Sequence, residues 1–193
     1  DDAPSVTADP SKLPAVTVDE TNLGTDASAD FSIAFTGAFG NDGAAKTNAN
    51  VYNLSVTTGA DSGLVDTLSG NKVFLFNDGG TIHGRLGNAD GTANAAGQVE
   101  FTITVDAKTG VVTLDQAHSL VHPDATNPND PVNLGSAAGG ITLTDTRTDG
   151  DGDKAAASVD IGKALTFLDD APSVTADPSK LPAVTVDETN LGT

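Results

Sequence analysis

Hydrophobic and polar residues alternate over short stretches throughout this 193-residue chain. The clearest stretch runs from Gln98 to Val105, where Val99, Phe101, Ile103 and Val105 fall on one face. Alternation with a period of two is typical of β-strands that bury one face. No stretch keeps the period of an amphipathic helix over three turns. The pattern therefore predicts an all-β fold.

Turns rich in Gly, Asp, Asn and Thr separate about ten such candidate strands, and Asp106 to Gly110 forms the clearest hairpin turn. This many short strands in one unit is typical of a β-sandwich, immunoglobulin-like or related. A single helical turn is predicted near Gln116 to Val121. The candidate strands are Ala15–Glu20, Ala29–Phe35, Val51–Thr58, Lys72–Phe76, Thr81–Leu86, Gln98–Val105, Val111–Leu114, Gly140–Thr144, Ala155–Ile161 and Ala164–Leu168.

An exact repeat joins the two ends of the chain. The first 25 residues, Asp1–Thr25, return letter for letter as Asp169–Thr193. The offset of 168 residues (169 − 1) suits an autonomous domain better than a solenoid repeat. We expect residues 1–168 to be one complete repeat of a tandem array and residues 169–193 to open the next. The linker is expected at residues 168–172, where Pro172 stiffens the backbone.

Composition narrows the classes of partner. The formal net charge is −18 with nine Lys and Arg, which excludes nucleic acid as a partner. The chain has no cysteine, so disulfides and thiolate metal sites are excluded. No segment approaches the roughly 18 consecutive apolar residues of a membrane span, so no membrane insertion is predicted. Stacked acidic copies would repel one another without bound cations, although an excess of acid can also serve solubility alone.

Catalytic motifs are weak, and we expect no enzyme activity. The chain has neither a nucleophile elbow nor a P-loop. His118 and His122 stand four residues apart, but the glutamate of a zincin motif is missing and a proline follows His122. Because both histidines border a proline-rich stretch, we predict that they are surface residues.

Acidic residues gather most densely in Asp149-Gly150-Asp151-Gly152-Asp153, between two candidate strands. Alternating carboxylates and glycines can turn several oxygens toward one ion, and Ca²⁺ takes six to eight oxygen ligands. The loop is not an EF-hand, because Lys154 stands where that motif needs glycine and the flanks are strands. The sequence predicts a Ca²⁺ site here, with a simple polar turn as the alternative.

Two further acidic pairs occur once in each copy, and both are predicted Ca²⁺ ligands. If the Asp149 loop faces the next copy, ions bridging these groups would turn repulsion into a rigid joint. Adjacent acids can instead be merely solvated. The candidate ligands are Asp169 and Asp170 in the linker, with Asp1 and Asp2 as their earlier counterparts, and Asp187 and Glu188, with Asp19 and Glu20 as theirs.

Several motifs in this order resemble the long tandem extender repeats of the RTX adhesins. These are giant type I secreted proteins of Gram-negative bacteria that act in biofilm formation and surface attachment. The likeness covers roughly the second half of the repeat, with Val16–Glu20 as a further match. Its motifs are Phe101–Asp106, Thr109-Gly110, Val112–Leu114, His122-Pro123-Asp124, Asn129-Asp130-Pro131, Thr148–Asp153, Ser158–Ile161 and Asp169–Pro172.

The resemblance implies Ca²⁺-dependent β-sandwich modules that fold after export and project ligand-binding domains from the bacterial cell surface. It supports Asp149, Asp151, Asp153 and the linker aspartates as ion ligands. Related repeats often have a small residue or Thr where Lys154 stands. The expected function is that of a monomeric, extracellular extender, or spacer, whose partners are calcium ions and neighbouring copies of the same repeat.

A rival hypothesis is that each repeat binds a glycan or a protein itself, through the loop from His122 to Val132. The chain has one Tyr, Tyr52, and no Trp. Because sugar-binding sites usually stack the ligand on exposed aromatic rings, this composition speaks against glycan binding.

Overall fold

The computed structural model describes residues 2–170, 174–186 and 189, and it confirms the all-β prediction. The regular secondary structure of the described part consists of strands and short 3₁₀ turns, with no α-helix. The strands are β1 (Ser5–Ala8), β2 (Val16–Asp19), β3 (Ala27–Asp30), β4 (Phe35–Ala38), β5 (Asn50–Ser55), β6 (Ala60–Val65), β7 (Lys72–Asp78), β8 (Thr81–Leu86), β9 (Val99–Val105), β10 (Val111–Gln116), β11 (Pro131–Asn133), β12 (Thr142–Thr148), β13 (Lys154–Asp160) and β14 (Leu165–Leu168). The 3₁₀ turns span Pro10–Lys12, Glu20–Asn22, Phe31–Ala34, Leu134–Ser136, Gly162–Ala164 and Pro178–Lys180.

The described residues form four sheets in a sandwich-like arrangement. The largest has six antiparallel strands in the order β3-β10-β9-β8-β7-β6. Two three-stranded sheets have the orders β13-β12-β5 and β11-β14-β2, and β1 pairs with β4. Every described pairing is antiparallel except that of β2 with β14.

The hydrophobic core lies between these sheets and rests on Val, Leu, Ile and Phe. Phe101 on β9 and Phe167 on β14 are both fully buried, and their ring centroids lie 5.1 Å apart. Such a pair contributes about 0.5 to 1.5 kcal/mol beyond its area of burial. It ties the six-stranded sheet to the sheet that contains β14, and so fixes where the end of β14 lies.

The parallel pairing of β2 with β14 positions one of the candidate sites. Asp19 at the end of β2 is paired with Leu168 at the end of β14. Because parallel strands end at the same edge of a sheet, the residues that follow them, Glu20 and Asp169, emerge side by side. In the sequence, Glu20 and Asp169 are separated by most of the repeat.

One predicted strand is wrong in its centre. Ala29–Phe35 was predicted as a continuous strand with Phe31, Ile33 and Phe35 on one face. Instead β3 ends at Asp30, whose carboxylate accepts a hydrogen bond from Ser32 N at 2.9 Å and starts a 3₁₀ turn. This turn leaves Ile33 53% exposed while Phe31 and Phe35 stay buried.

The predicted helical turn near Gln116 to Val121 is also wrong. Strand β10 continues as far as Gln116, pairing Asp115 with Thr102 of β9. Beyond the strand, Val121 N donates to the carbonyl oxygen of Val65. The backbone groups that a helix would have satisfied internally are satisfied by neighbouring strands instead.

The two copies of the repeated segment share their turns but not their strand. Pro10–Lys12 and Pro178–Lys180 form the same 3₁₀ turn, each capped by the preceding aspartate. Val16 and Val18 are 2% and 3% exposed, whereas their counterparts Val184 and Val186 are 88% and 78% exposed. The turn is therefore encoded locally, while the strand needs the β14 of its own repeat. Among the described residues, no helix has the length and hydropathy to cross a membrane.

Candidate metal sites

Among the described residues, two groups of three acidic or histidine side chains lie close enough together to share a metal ion. The loop cluster consists of Asp42, Asp149 and Asp151, and the linker cluster of Glu20, His122 and Asp169. Within each cluster, one ligand atom from each residue lies within 4.8 Å of the others. These are distances that one bound metal ion can bridge.

Asp149 is the buried and hydrogen-bonded member of the loop cluster. It follows β12 at the start of the turn into β13, and it is only 1% exposed. Its Oδ1 accepts hydrogen bonds from Gly152 N at 3.0 Å and from Asp153 N at 2.8 Å. Its Oδ2 is buried with no hydrogen-bond partner. An acceptor of this kind is costly to bury unless a cation or a water binds it.

Asp42 reaches this cluster from a distant loop. Ala44 forms an isolated β-bridge with Asp149, and Ala45 N donates to the carbonyl oxygen of Thr148 at 3.0 Å. Gly150 permits the approach, because a Cβ at that position would collide with the carbonyl oxygen of Asp42. Sequence reasoning missed Asp42, since no local pattern connects it with the Asp149 loop.

Asp153 stands apart from the loop cluster. Its backbone N–H holds Asp149 in place, but its exposed carboxylate is not one of the three clustered groups. Lys154 begins β13 and pairs with Thr148, so it continues the strand rather than closing an ion-binding loop. Of the three aspartates predicted as ligands in this loop, the structure brings Asp149 and Asp151 together.

The linker aspartate of the first copy lies beside the loop cluster. Asp2 Oδ2 accepts a hydrogen bond from Asn41 N at 3.1 Å, next to Asp42. Gly40 is equally constrained, because it has φ of 72° and a Cβ there would strike the carbonyl oxygen of Asp2. Asp1 lies outside the described residues.

The linker cluster is the more deeply buried of the two. The side chains of Glu20 and His122 are each only 2% exposed, and their closest N and O atoms lie 3.3 Å apart. Glu20 Oε1 also accepts hydrogen bonds from Gln116 Nε2 and Leu120 N, both at 2.8 Å. The prediction that His122 is a surface residue is therefore wrong for its side chain.

The linker cluster borders a cavity of about 330 Å³. Asp169 is half-buried and Asp170 exposed where they line it. The cavity wall contains three carboxylates and His122, with no Lys or Arg. Such a wall attracts cations.

The other predicted ligands have different surroundings. Asp19 is exposed and caps the 3₁₀ turn after β2 by accepting from Thr21 N at 2.9 Å. The side-chain and backbone hydrogen bonds from Thr21 lower the pKa of Asp19, which favours its charged form. Asp187 and Glu188 lie outside the described residues.

The β9–β10 hairpin contacts the linker cluster at one end, and at its turn it contacts β5, which pairs with the strand that leads into the loop cluster. At the open end, Gln116 donates to Glu20 of the linker cluster. At the turn, the carbonyl oxygen of Ala107 accepts from Tyr52 N at 2.9 Å. Tyr52 lies on β5, beside the strand β12 that leads into Asp149.

The donor atoms of the clusters differ in chemical class. The loop cluster offers carboxylate oxygens only, which suits a hard cation such as Ca²⁺. The buried Oδ2 of Asp149 has no hydrogen-bond partner, so it is an oxygen that a hard cation could bind. The linker cluster adds an imidazole nitrogen to two carboxylates, a mixture that suits borderline metals.

A family comparison covers most of the chain. The family described as "Domain of unknown function (DUF5801)" matches residues 15–162. The match spans more than half of the chain, which therefore belongs to this family. No curated protein matches the chain.

Proposed function

We propose that this member of the DUF5801 family is a calcium-stabilised structural spacer. In this proposal it is one repeat of a tandem array in an extracellular bacterial adhesin, and it holds ligand-binding domains away from the cell surface. One observation carries the proposal: each copy of the linker places an aspartate at or beside one of the two clusters. Asp2 binds the loop beside the loop cluster, and Asp169 completes the linker cluster.

The repeated sequence turns these two contacts into a junction. Asp1-Asp2 and Asp169-Asp170 are the same dipeptide in successive copies. In an array, Asp169 would stay with Glu20 and His122 of its own repeat. Asp170 would then bind the next repeat as Asp2 binds Asn41. Consecutive Cα atoms are only about 3.8 Å apart, so the linker cluster of one repeat would lie close to the loop cluster of the next.

Calcium at the loop cluster would make this junction stiff. The Asp42 loop carries the contact to Asp2, and in the loop cluster it meets Asp149 and Asp151. An ion bound there would hold the Asp42 loop against the β12–β13 turn and so fix the surface on which the preceding linker rests. It would also offset the repulsion among carboxylates in a chain of net charge −18.

Dependence on calcium would suit an extracellular setting. A secreted domain without cysteine has no disulfides to stabilise it. Calcium can replace that stabilisation, because a ligand that binds only the folded state adds to the free energy of unfolding. Free calcium is abundant outside cells and scarce in the cytosol, so the same ion would favour folding after export.

The junction can be tested with Asp170→Asn in a chain of two complete repeats. Two spin labels, one in each repeat, would report the distance between the repeats. In Ca²⁺ we expect the parent chain to give a narrow distance distribution. The variant should give one at least about twice as broad, since the charged contact to the next repeat is lost.

Asp177→Asn is the matched control, because Asp177 follows the same linker but caps an exposed 3₁₀ turn. Its distance distribution should stay as narrow as that of the parent. A distribution in Asp170→Asn as narrow as in the control would show that the linker aspartate does not anchor the next repeat.

A further inference from the structure

We propose that the linker cluster is a binding site for a divalent transition-metal ion of the Zn²⁺ class. This ion would be separate from the calcium proposed at the loop cluster. Its ligands would be the carboxylates of Glu20 and Asp169 and His122 Nε2, the ring nitrogen that lies 3.3 Å from Glu20 Oε1. The cluster would bind this ion whether or not the repeat acts as a spacer.

The donor set selects the class of metal. Imidazole nitrogen is a common ligand of Zn²⁺, Co²⁺ and Ni²⁺, whereas Ca²⁺ binds oxygen almost exclusively. One histidine with two carboxylates matches the three protein ligands of an open zinc site, in which water fills the fourth position. The neighbouring cavity of about 330 Å³ has room for that water.

The ligands are held in place before any ion binds. Hydrogen bonds from Gln116 Nε2 and Leu120 N, both 2.8 Å long, fix the carboxylate of Glu20. His122 is packed with only 2% of its side chain exposed. The Phe101–Phe167 contact secures β14, and Asp169 follows the end of this strand. Because the fold already orders these side chains, an ion would bind with little further loss of conformational entropy.

The electrostatics of the cavity favour a cation. Glu20, Asp169 and Asp170 all line it, and its wall contains no Lys or Arg. A neutral imidazole is the form that binds metal, and it leaves the three negative charges uncompensated. A divalent ion would neutralise most of that charge.

One feature limits the affinity. The other ring nitrogen of His122, Nδ1, is buried and has no hydrogen-bond partner. Most metal-binding histidines donate that N–H to an acceptor, and loss of such a partner typically costs about 10- to 100-fold in affinity. We therefore expect binding in the micromolar range rather than the nanomolar range of structural zinc sites.

Metal binding would fasten the exit of the chain to the domain. The three ligands come from the end of β2, from the loop after β10 and from the linker after β14. A single ion would join segments that are far apart in sequence, since Glu20 and Asp169 are separated by about 150 residues (169 − 20). The direction in which the next repeat leaves would then respond to transition-metal availability.

The test is titration of the metal-free chain with Zn²⁺ and Co²⁺ in the presence of millimolar Ca²⁺, with calorimetry for Zn²⁺ and visible absorption for Co²⁺. We expect one ion per repeat, with tetrahedral Co²⁺ absorption bands. His122→Gln and Asp169→Asn should each weaken binding at least about tenfold. His83→Gln is the matched control, because His83 lies on β8 beside Asp78 and outside the cluster.

Two results would overturn the assignment. One is equal Zn²⁺ affinity in the parent, His122→Gln and Asp169→Asn. The other is Ca²⁺ displacing Co²⁺ at equal concentration, which would make the cluster a calcium site. If His122→Gln does not fold, Asp169→Asn decides alone, because Asp169 lies after the last strand of the repeat and is only half-buried.

Discussion

Removing calcium is expected to lower the free energy of unfolding of one repeat by about 2.7 kcal/mol, relative to a solution with Ca²⁺ at a hundredfold excess over its Kd. The loss arises because Asp42, Asp149 and Asp151 are left facing one another without a counter-ion. In a domain of this size it corresponds to a fall in melting temperature of roughly 5 to 10 °C. Thermal melts in Ca²⁺ and in chelator measure it directly.

Two asparagine substitutions identify the site responsible. Asp149→Asn keeps an oxygen that can accept from Gly152 N and Asp153 N, but it removes the buried charge that would bind the ion. We expect it to fold and to lose the calcium response. Asp153→Asn should keep the response, because its carboxylate lies outside the cluster. An equal response in both variants would place the stabilising ion elsewhere.

Raising the pH is expected to destabilise the fold through one buried carboxyl. Glu100 on β9 is completely buried, and neither of its carboxylate oxygens has a hydrogen-bond partner. His118 Nδ1 lies 3.7 Å from its Oε2. Burial, and then the charge of Asp66, raise the pKa of Glu100 from its ordinary 4.5 to about 7, while His118 opposes the rise. The folded state therefore favours the protonated carboxyl.

Because the pKa of Glu100 is raised in the folded state, the free energy of unfolding falls as the pH rises. Below about pH 4.5 the Glu100 carboxyl is protonated in both the folded and the unfolded chain, so it does not lower the free energy of unfolding. Between 4.5 and about 7 the unfolded chain loses the proton first, so stability falls as the pH rises. Above pH 7 the total decrease in the free energy of unfolding that is due to Glu100 reaches about 3 kcal/mol.

Urea unfolding at a series of pH values, with calcium held constant, tests this prediction. Glu100→Gln should flatten the fall between about pH 5 and 8 and raise stability at the upper end by roughly 1 to 3 kcal/mol. Asp90→Asn is the control and should leave the fall unchanged. Asp90 is exposed, and hydrogen bonds from Thr92 lower rather than raise the pKa of its carboxyl. A flat profile in the parent chain would refute the role of Glu100.

The alternation of hydrophobic and polar residues predicted the strands whose hydrophobic residues all lie on one buried face. Thr81–Leu86 has the predicted bounds, and β9 buries Phe101 and Ile103 on the predicted face. It missed β6 (Ala60–Val65), although burial alternates along this strand. The polar Ser62 lies on the buried face and Val65 on the other face, so hydrophobicity does not follow burial there.

The candidate sites were foreseen only where their ligands are neighbours in sequence. Asp149 and Asp151 could be predicted from their spacing in one loop. Asp42 could not, because a bridge between distant loops brings it to them. His122 meets Glu20 across 102 positions of the chain, and only the parallel β2–β14 pairing adds Asp169 to them. No local pattern encodes such a contact.

Small-angle scattering from a chain of two complete repeats, in Ca²⁺ and in chelator, tests the spacer most directly. In Ca²⁺ we expect a rod with a maximum dimension close to twice that of one repeat. In chelator we expect a flexible pair of repeats with a shorter average extension. Superimposable scattering curves in the two conditions would contradict the claim that calcium stiffens the array.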